Sequence, residues 1–291
     1  MILVTGASGT VGRPVLEEVA KTGKPVKAMY RNAEDARSAP AGVPTVIADF
    51  ADIASLVKAL QGIDTVFLVC SPIPQLVELE SNVIAACKLS AVRHVVLNSA
   101  LGAADYPKSF PSWHRKVEDK LSASCLGYII LRPNTFMQNI VAYNASSIRL
   151  QSAFYSAMGD AKISFIDVRD IADATAKILA EPAAHAGKIY ELNGPQAFNY
   201  TEVASLISNA VGRPVQFVNI PEESQRKAML DLGMPDWQVN ALLDLQRYYT
   251  AEHKGADITP VLEQILGRPA TRMQQYVIEN KDAFRSQAAG A

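Results

Sequence analysis

The stretch Ile2-Leu3-Val4-Thr5-Gly6-Ala7-Ser8-Gly9-Thr10-Val11-Gly12 decides the fold. A short apolar, β-rich run ends at a glycine turn, and a helix-spaced run follows (Val15, Leu16, Val19, Ala20). Each glycine has its own task in such a strand–turn–helix unit. Gly6 lets the chain turn sharply after Thr5. Gly9 has no Cβ, so a pyrophosphate can approach the backbone. Gly12 allows the helix to pack closely on the strand. The helix start presents free N–H groups and the positive end of its dipole, and Ser8, Thr10 and Val11 supply amides or a hydroxyl. The spacing is G-x-x-G-x-x-G rather than G-x-G-x-x-G. A glycine-rich turn without a ligand is the alternative reading, and the βα units that follow weigh against it.

Those units run through the first two-thirds of the chain. Strands are expected at Ile2–Thr5, Pro25–Arg31, Thr45–Ala48, Thr65–Cys70, His94–Asn98 and Tyr128–Leu131. Helices are expected at Pro14–Lys21, Ile53–Leu60, Gln75–Leu89 and Ser112–Ser122. Residues 163–168, 172–179 and 189–192 continue the pattern in shorter form. The alternation implies an α/β fold: a Rossmann-type, doubly wound parallel sheet covered by helices on both faces. After Gly194 the pattern becomes mainly helical, with a lone strand at Val215–Ile220 and breaks at 233–235 and 267–269. The expected division is a dinucleotide-binding domain over 1–194 and a smaller substrate-binding lobe over 195–291. Residues 286–291 read as a frayed tail.

The 291 residues are 49% hydrophobic and 20% charged, with 28 Lys and Arg against 29 Asp and Glu. A net charge of −1 gives no global attraction to nucleic acid or an anionic membrane. No apolar run has the length a membrane span needs. Three cysteines, Cys70, Cys87 and Cys125, without a C-x-x-C pair point to a reducing compartment. The reading is a cytoplasmic soluble protein. The apolar helix over 76–89 either pairs two copies as a homodimer or covers the sheet.

The second strand ends Met29-Tyr30-Arg31-Asn32. An acidic residue here would accept hydrogen bonds from the ribose hydroxyls of NAD(H). Arg31 instead offers a forked cation suited to a 2′-phosphate, with Arg37 in support, so NADPH is expected ahead of NADH. A solvated surface arginine is the alternative. Asp49 and Phe50 end the third strand, where they would bracket the adenine. Val69, Cys70 and Ser71 end the fourth, at the carboxyl edge where cofactors lie.

TGASGTVG (5–12), Arg31, HVVLNSA (94–100), LRPNTFMQN (131–139) and FIDVRDIA (165–172) together resemble an atypical short-chain dehydrogenase/reductase of the NmrA-like branch. The chain is similar to the triphenylmethane reductases and type 2 quinone oxidoreductases of that branch. The resemblance implies an NADP-type cofactor and a substrate cleft between a Rossmann domain and a small second lobe. The branch also holds redox-sensing regulators that bind dinucleotide without turning it over.

Ordinary members of the wider family use Tyr-x-x-x-Lys as proton donor. None of the ten tyrosines here has lysine four residues on. The corresponding helix reads Ser112-Trp113-His114-Arg115-Lys116-Val117-Glu118. His114 stands at the tyrosine position and Glu118 at the lysine position, resembling the His-x-x-x-Glu of the quinone-reductase branch. The pair shares one helical face. In the functional reading His114 donates a proton or orients the acceptor, and Glu118 holds its tautomer; in the bland one they are a surface pair. Two such residues make no metal site. Ser99, after the fifth strand, either bonds the nicotinamide carboxamide or substrate oxygen, or caps a loop.

Reduction of an aliphatic ketone makes a strongly basic alkoxide. Reduction of a quinone makes a phenolate, whose conjugate acid has a pKa of about 10. Loss of the tyrosine dyad therefore favours planar conjugated acceptors. Pro133 turns the chain out of the sixth strand and is counted with the cofactor contacts. Trp113, Phe136, Met137, Phe154 and Tyr155, with Met158, are the candidate walls of a pocket for a small aromatic or quinone-like substrate. Ordinary core packing is the alternative for each. The function expected is NADPH-dependent hydride transfer to such an acceptor. The competing readings are a non-catalytic NADP(H) sensor and an enzyme of aromatic natural-product tailoring.

Overall fold

The computed structural model describes residues 1–285, so the tail reading for 286–291 lies outside the described residues. In chain order the elements begin β1 (Ile2–Val4), α1 (Gly12–Lys21), β2 (Val26–Tyr30), α2 (Ala33–Ala36), β3 (Thr45–Ile47), α3 (Ile53–Ala59) and β4 (Thr65–Leu68). Next come α4 (Leu76–Lys88), β5 (His94–Asn98), α5 (Ser109–Ser122), β6 (Gly127–Pro133), α6 (Gln138–Gln151), β7 (Ala153–Ser156) and α7 (Val168–Ala180). The chain continues through α8 (Pro182–His185), β8 (Ile189–Leu192), α9 (Tyr200–Val211), β9 (Gln216–Asn219), α10 (Glu222–Asp231) and α11 (Asp236–Thr250). It closes with α12 (Val261–Leu266), α13 (Met273–Glu279) and α14 (Lys281–Phe284).

Two compact units form. The first comprises Met1–Pro133, Val168–Leu192 and Val261–Gly267; the second comprises Asn134–Asp167, Asn193–Pro260 and the described residues from Arg268 on. They interleave, where the sequence reading placed one boundary at 194–195. The reason is that α7, β8 and α12 pack with the sheet unit, whereas 134–167 fold with the later helices.

The first unit holds a seven-stranded sheet in the order β3-β2-β1-β4-β5-β6-β8, all neighbours parallel. The strand order reverses between β1 and β4, which is the switch point at which ligands meet the carboxyl ends of such sheets. Strand alternation sorts the side chains by face. Leu3, Val66, Leu68, Val95, Leu97 and Ile130 join residues of α3, α4 and α5 in one core cluster. Intervening residues such as Val4, Phe67, Val96 and Ile129 are as deeply buried, as a sheet covered on both faces requires.

The helices follow from local signals. Asp52 caps α3 by accepting from the Ala54 and Ser55 amides at 3.0 and 3.2 Å. In α4 the buried positions Leu76, Glu80, Val83, Ile84 and Cys87 recur at helical spacing and face the core. This helix therefore covers the sheet with the apolar residues that had also suggested pairing of two copies. Glu80 is fully buried there with neither carboxyl oxygen hydrogen-bonded, and burial holds its carboxyl well above the usual carboxylate range. No helix among the described residues is long and apolar enough to cross a membrane.

In the second unit β7 and β9 pair in parallel, Ala153 with Gln216 through Ser156 with Asn219, so the strand expected to be lone has a partner. The sequence reading passed over both α6 and β7. Asparagine and serine interrupt the helical periodicity of α6, which ends at Ser152 in a left-handed conformation. The expected strand at 163–168 forms no strand: it makes two isolated bridges, Ile163 to Phe198 and Ile166 to Phe136, and Val168 already opens α7. Asn199 caps α9, in a reciprocal box with Glu202. The buried Asn134 amide knots this unit together. Its Nδ2 lies 2.9 Å from Ser164 Oγ, 3.2 Å from Asn193 Oδ1 and 2.9 Å from the Gly255 carbonyl.

Candidate active site

The glycine turn joins β1 to α1 at the switch point. Gly6 has φ +55°, and an added Cβ would lie 2.9 Å from Val69 Cγ1, so both conformation and space demand glycine. At Gly12 a Cβ would lie 2.1 Å from the Gly6 carbonyl oxygen. At Gly9 it would meet only that oxygen, at 3.2 Å, and the outer side is open. The turn's own hydrogen bonds use the Gly9 amide, to Gly6 O at 2.8 Å, and the Arg13 amide, to Gly9 O at 3.1 Å. Among the described residues the amides of Thr10, Val11 and Gly12 donate to no backbone group, and no side chain caps the helix. Unspent amides above a bare glycine at a ten-residue helix start fit a pyrophosphate. Ser8, Gly9 and Thr10 are exposed beside them.

Thr5 is different. It is fully buried; its hydroxyl donates to the Phe67 carbonyl at 2.9 Å and accepts from the Val69 amide at 3.0 Å. It ties β1 to β4, so the structure gives it a framework role in place of the cofactor contact expected. Arg31 directly follows β2 and is exposed, without an ion pair or hydrogen bond among the described residues. Asn32 caps α2 by accepting from the Asp35 amide at 2.8 Å. Arg13, which the sequence reading missed, projects from the first turn of α1, pairs with Glu17 at 3.0 Å, and its charge acts on Tyr30. Its place directly after the third turn glycine was the available signal.

Asp49 is exposed, and its carboxylate accepts from the Ala51 amide at 2.9 Å. Phe50 is half-buried against the core cluster. Val69 and Cys70 are half-buried and Ser71 exposed at the carboxyl end of β4. Burial pushes the Cys70 thiol up to about 12, so it is no nucleophile at neutral pH. Pro133 is buried as the last residue of β6, and its carbonyl accepts from the Leu101 amide at 3.0 Å.

On α5, His114 and Glu118 both point inward, 6% and 3% exposed. They do not pair. Glu118 receives the Ser99 hydroxyl at 2.5 Å on Oε1. The Arg132 guanidinium grips it in fork geometry, Nε to Oε1 at 2.9 Å and Nη2 to Oε2 at 2.6 Å. Arg132 also reaches Glu191 at 3.5 Å. Glu118 is thus held by β5 and β6 and does not fix the His114 tautomer, contrary to the expectation from sequence. His114 Nδ1 is sealed without a partner. Burial alone lowers its pKa to about 4, so the imidazole is uncharged at neutral pH.

This state has a measurable consequence. The folded imidazole takes a proton only near pH 4, the unfolded one near 6.5. Between these values the unfolded chain holds more protons, so stability falls on acidification. The loss from this one group is about 2 kcal/mol at pH 5. His114→Gln is expected to lose correspondingly less stability between pH 7 and pH 5 in denaturant titrations. Parallel losses in both chains would show that His114 is not buried neutral.

The proposed aromatic wall divides. Trp113 is half-buried and meets Phe110 edge-on, with centroids 5.3 Å apart. Phe136 is half-buried, whereas Met137 is core. Phe154 is fully buried and packed with Tyr200 and Phe217 at 5.6 and 5.5 Å, so it is core and not wall. Tyr155 alternates to the other face and is 42% exposed, with its hydroxyl donating to Gln151 at 2.8 Å. Within the second unit a cavity of about 590 Å³ is lined instead by Met158, Lys162, Asn219, Tyr249 and His253 among others. Of the residues considered from sequence only Met158 lines it. Tyr249 bonds Thr135 at 2.7 Å.

Residues 1–278 match the NmrA-like family. The chain belongs to the NmrA-like family. It is 34% identical over 286 residues to an NAD(P)H azoreductase of Xenophilus azovorans, covering 98% of this chain and 99% of that one. It is 31% identical over 283 residues to quinone oxidoreductase 2 of Escherichia coli, covering 95% and 97%. The crystal structure of the NADPH-dependent quinone oxidoreductase of Escherichia coli complexed with NADPH superposes with a TM-score of 0.88 at 31% identity, over 96% of this NmrA-like chain and 99% of that one. The triphenylmethane reductase of Citrobacter sp., at 21% identity and a TM-score of 0.85 over 97% and 100%, shares the fold.

Proposed function

We propose that this chain is an NADPH-dependent reductase that delivers hydride to a quinone or other planar conjugated acceptor. When bound, NADPH supplies the hydride. The amides of Thr10, Val11 and Gly12 bind the pyrophosphate above Gly9, and Arg31 with Arg13 receives the 2′-phosphate. Full-length relatives named for azo and quinone reduction, and a complex with NADPH in one of them, support the reading.

The observation that carries it is the state of two polar groups, Ser99 just after β5 and His114 on the inner face of α5. Ser99 has committed its one hydroxyl proton to Glu118. His114 is uncharged and offers a hydrogen bond, not a ready proton. Neither can neutralise the strongly basic alkoxide of an aliphatic ketone in the transition state. A phenolate, with a conjugate-acid pKa of about 10, needs only positioning and a neutral donor. NADPH oxidation is to be followed with quinones, azo dyes and aliphatic ketones of similar size. The kcat/KM for the conjugated acceptors is expected to exceed that for ketones by roughly 100-fold or more, about 3 kcal/mol in the barrier. A chain that binds NADPH tightly and turns over none of them would sink the proposal.

A further inference from the structure

We propose that Arg132 is a positioning residue of this site: its two-pronged hold on Glu118 keeps that carboxylate from pairing with His114 and so leaves the imidazole free to meet the acceptor. The inference rests on the reductase reading for its catalytic meaning, but its structural content stands apart from turnover.

His114 and Glu118 lie one turn apart on the inner face of α5, where Cβ atoms are about 6 Å apart and side chains normally meet. A buried carboxylate so close to an imidazole ordinarily pairs with it and favours the imidazolium. Here it does neither. Both carboxylate oxygens are taken by the guanidinium, and one of them also by Ser99. His114 Nδ1 is left without a partner, and burial is the sole cause acting on its protonation.

The other charged groups on and around α5 are exposed, buried or engaged with other partners. Arg115 and Asp119 pair with each other at 2.8 Å on the exposed side. Lys116 is exposed, and Lys120 donates to Ser81 of α4 at 2.8 Å. Asp105 and Lys108, in the loop before α5, are exposed. Glu80 of α4 is buried, and burial holds its carboxyl well above the usual carboxylate range. Glu191 of β8 faces Arg132. Glu118 is therefore the carboxylate placed to charge His114, and Arg132 is the residue that prevents it. A guanidinium suits this task because its planar fork occupies both oxygens at once, which an ammonium does not.

The test is NMR of the imidazole nitrogens between pH 5 and 8, with the His114 signal assigned among the four histidines by its loss in His114→Gln. In the parent chain His114 is expected to stay uncharged throughout this range. Arg132→Met frees Glu118, and the His114 midpoint is expected to rise by more than one pH unit, into the range. The double variant Arg132→Met/Glu118→Gln removes the freed charge and is expected to return the midpoint below 5. In Glu118→Gln alone it is expected not to move. A His114 signal that stays uncharged in Arg132→Met, or is charged equally in the double variant, overturns the proposal. If Arg132→Met is too unstable for spectroscopy, Arg132→Gln is read in its place by the same criteria, and Arg132→Lys is expected to show partial recovery of the parent midpoint. Loss of quinone turnover with the expected NMR pattern would count against the reductase reading alone.

Discussion

A Gly12→Ala variant is expected to bind NADPH at least 100-fold more weakly than the parent chain and to unfold more readily. The added methyl would lie 2.1 Å from Gly6 O, 2.6 Å from Gly6 C and 2.9 Å from Thr5 O. All three are backbone atoms of the strand end and turn, so no rotamer change relieves the clash. The helix must retreat, and with it the amides of Thr10, Val11 and Gly12 leave the pyrophosphate. Overpacking of this kind costs roughly 1–3 kcal/mol of stability, and a displacement of the amides forfeits several charge-assisted hydrogen bonds. Gly9→Ala separates the two effects. Its methyl meets only one oxygen, at 3.2 Å, so the fold tolerates it while the ligand side of the turn is blocked. Calorimetric titration with NADPH and thermal unfolding of both variants check this. Parent-like affinity in Gly12→Ala would remove the turn from the site.

The second large effect is expected at Arg31. Replacement by alanine should weaken NADPH binding by about 10- to 100-fold, the worth of a charge-assisted hydrogen bond to a phosphate, and leave NADH binding within about twofold. Because Arg31 is exposed and unpaired among the described residues, its removal breaks no internal contact. A change in folding therefore does not confuse the result. Adding Arg13→Ala should deepen the loss, since the charge of that side chain is felt at Tyr30, the last residue of β2. Fluorescence titration with both coenzymes at two salt concentrations decides the matter. Equal losses for NADPH and NADH, or none for either, would mean that the 2′-phosphate is not read by this cation.

The parts of the fold legible in the sequence are those governed by neighbours along the chain. Apart from the four-residue α2, which no reading of the sequence expected, the first-unit strands and helices up to β6 fall within a few residues of the expected ranges, because apolar periodicity and turn glycines are local signals. Helix α6 was missed because its asparagines and serines weaken the local preference, and packing of Ile140, Ala145 and Ile148 decides it instead. Of the proposed site, the glycine turn and Arg31 are legible for the same local reason. Arg132 was visible only as part of a motif. Nothing in the sequence says that its fork closes on a carboxylate fourteen residues earlier.

The order of residues by itself determined the dinucleotide-type turn, the parallel sheet and the replacement of a tyrosine–lysine dyad by histidine and glutamate. Only the tertiary structure decided which side chain holds Glu118, that Thr5 and Phe154 belong to the framework, and that the two units interleave. The physical reason is desolvation. Out of water, the Glu118 carboxylate and the Thr5 hydroxyl take their partners from whatever elements close over them, and those elements are brought together by the sheet rather than by the chain.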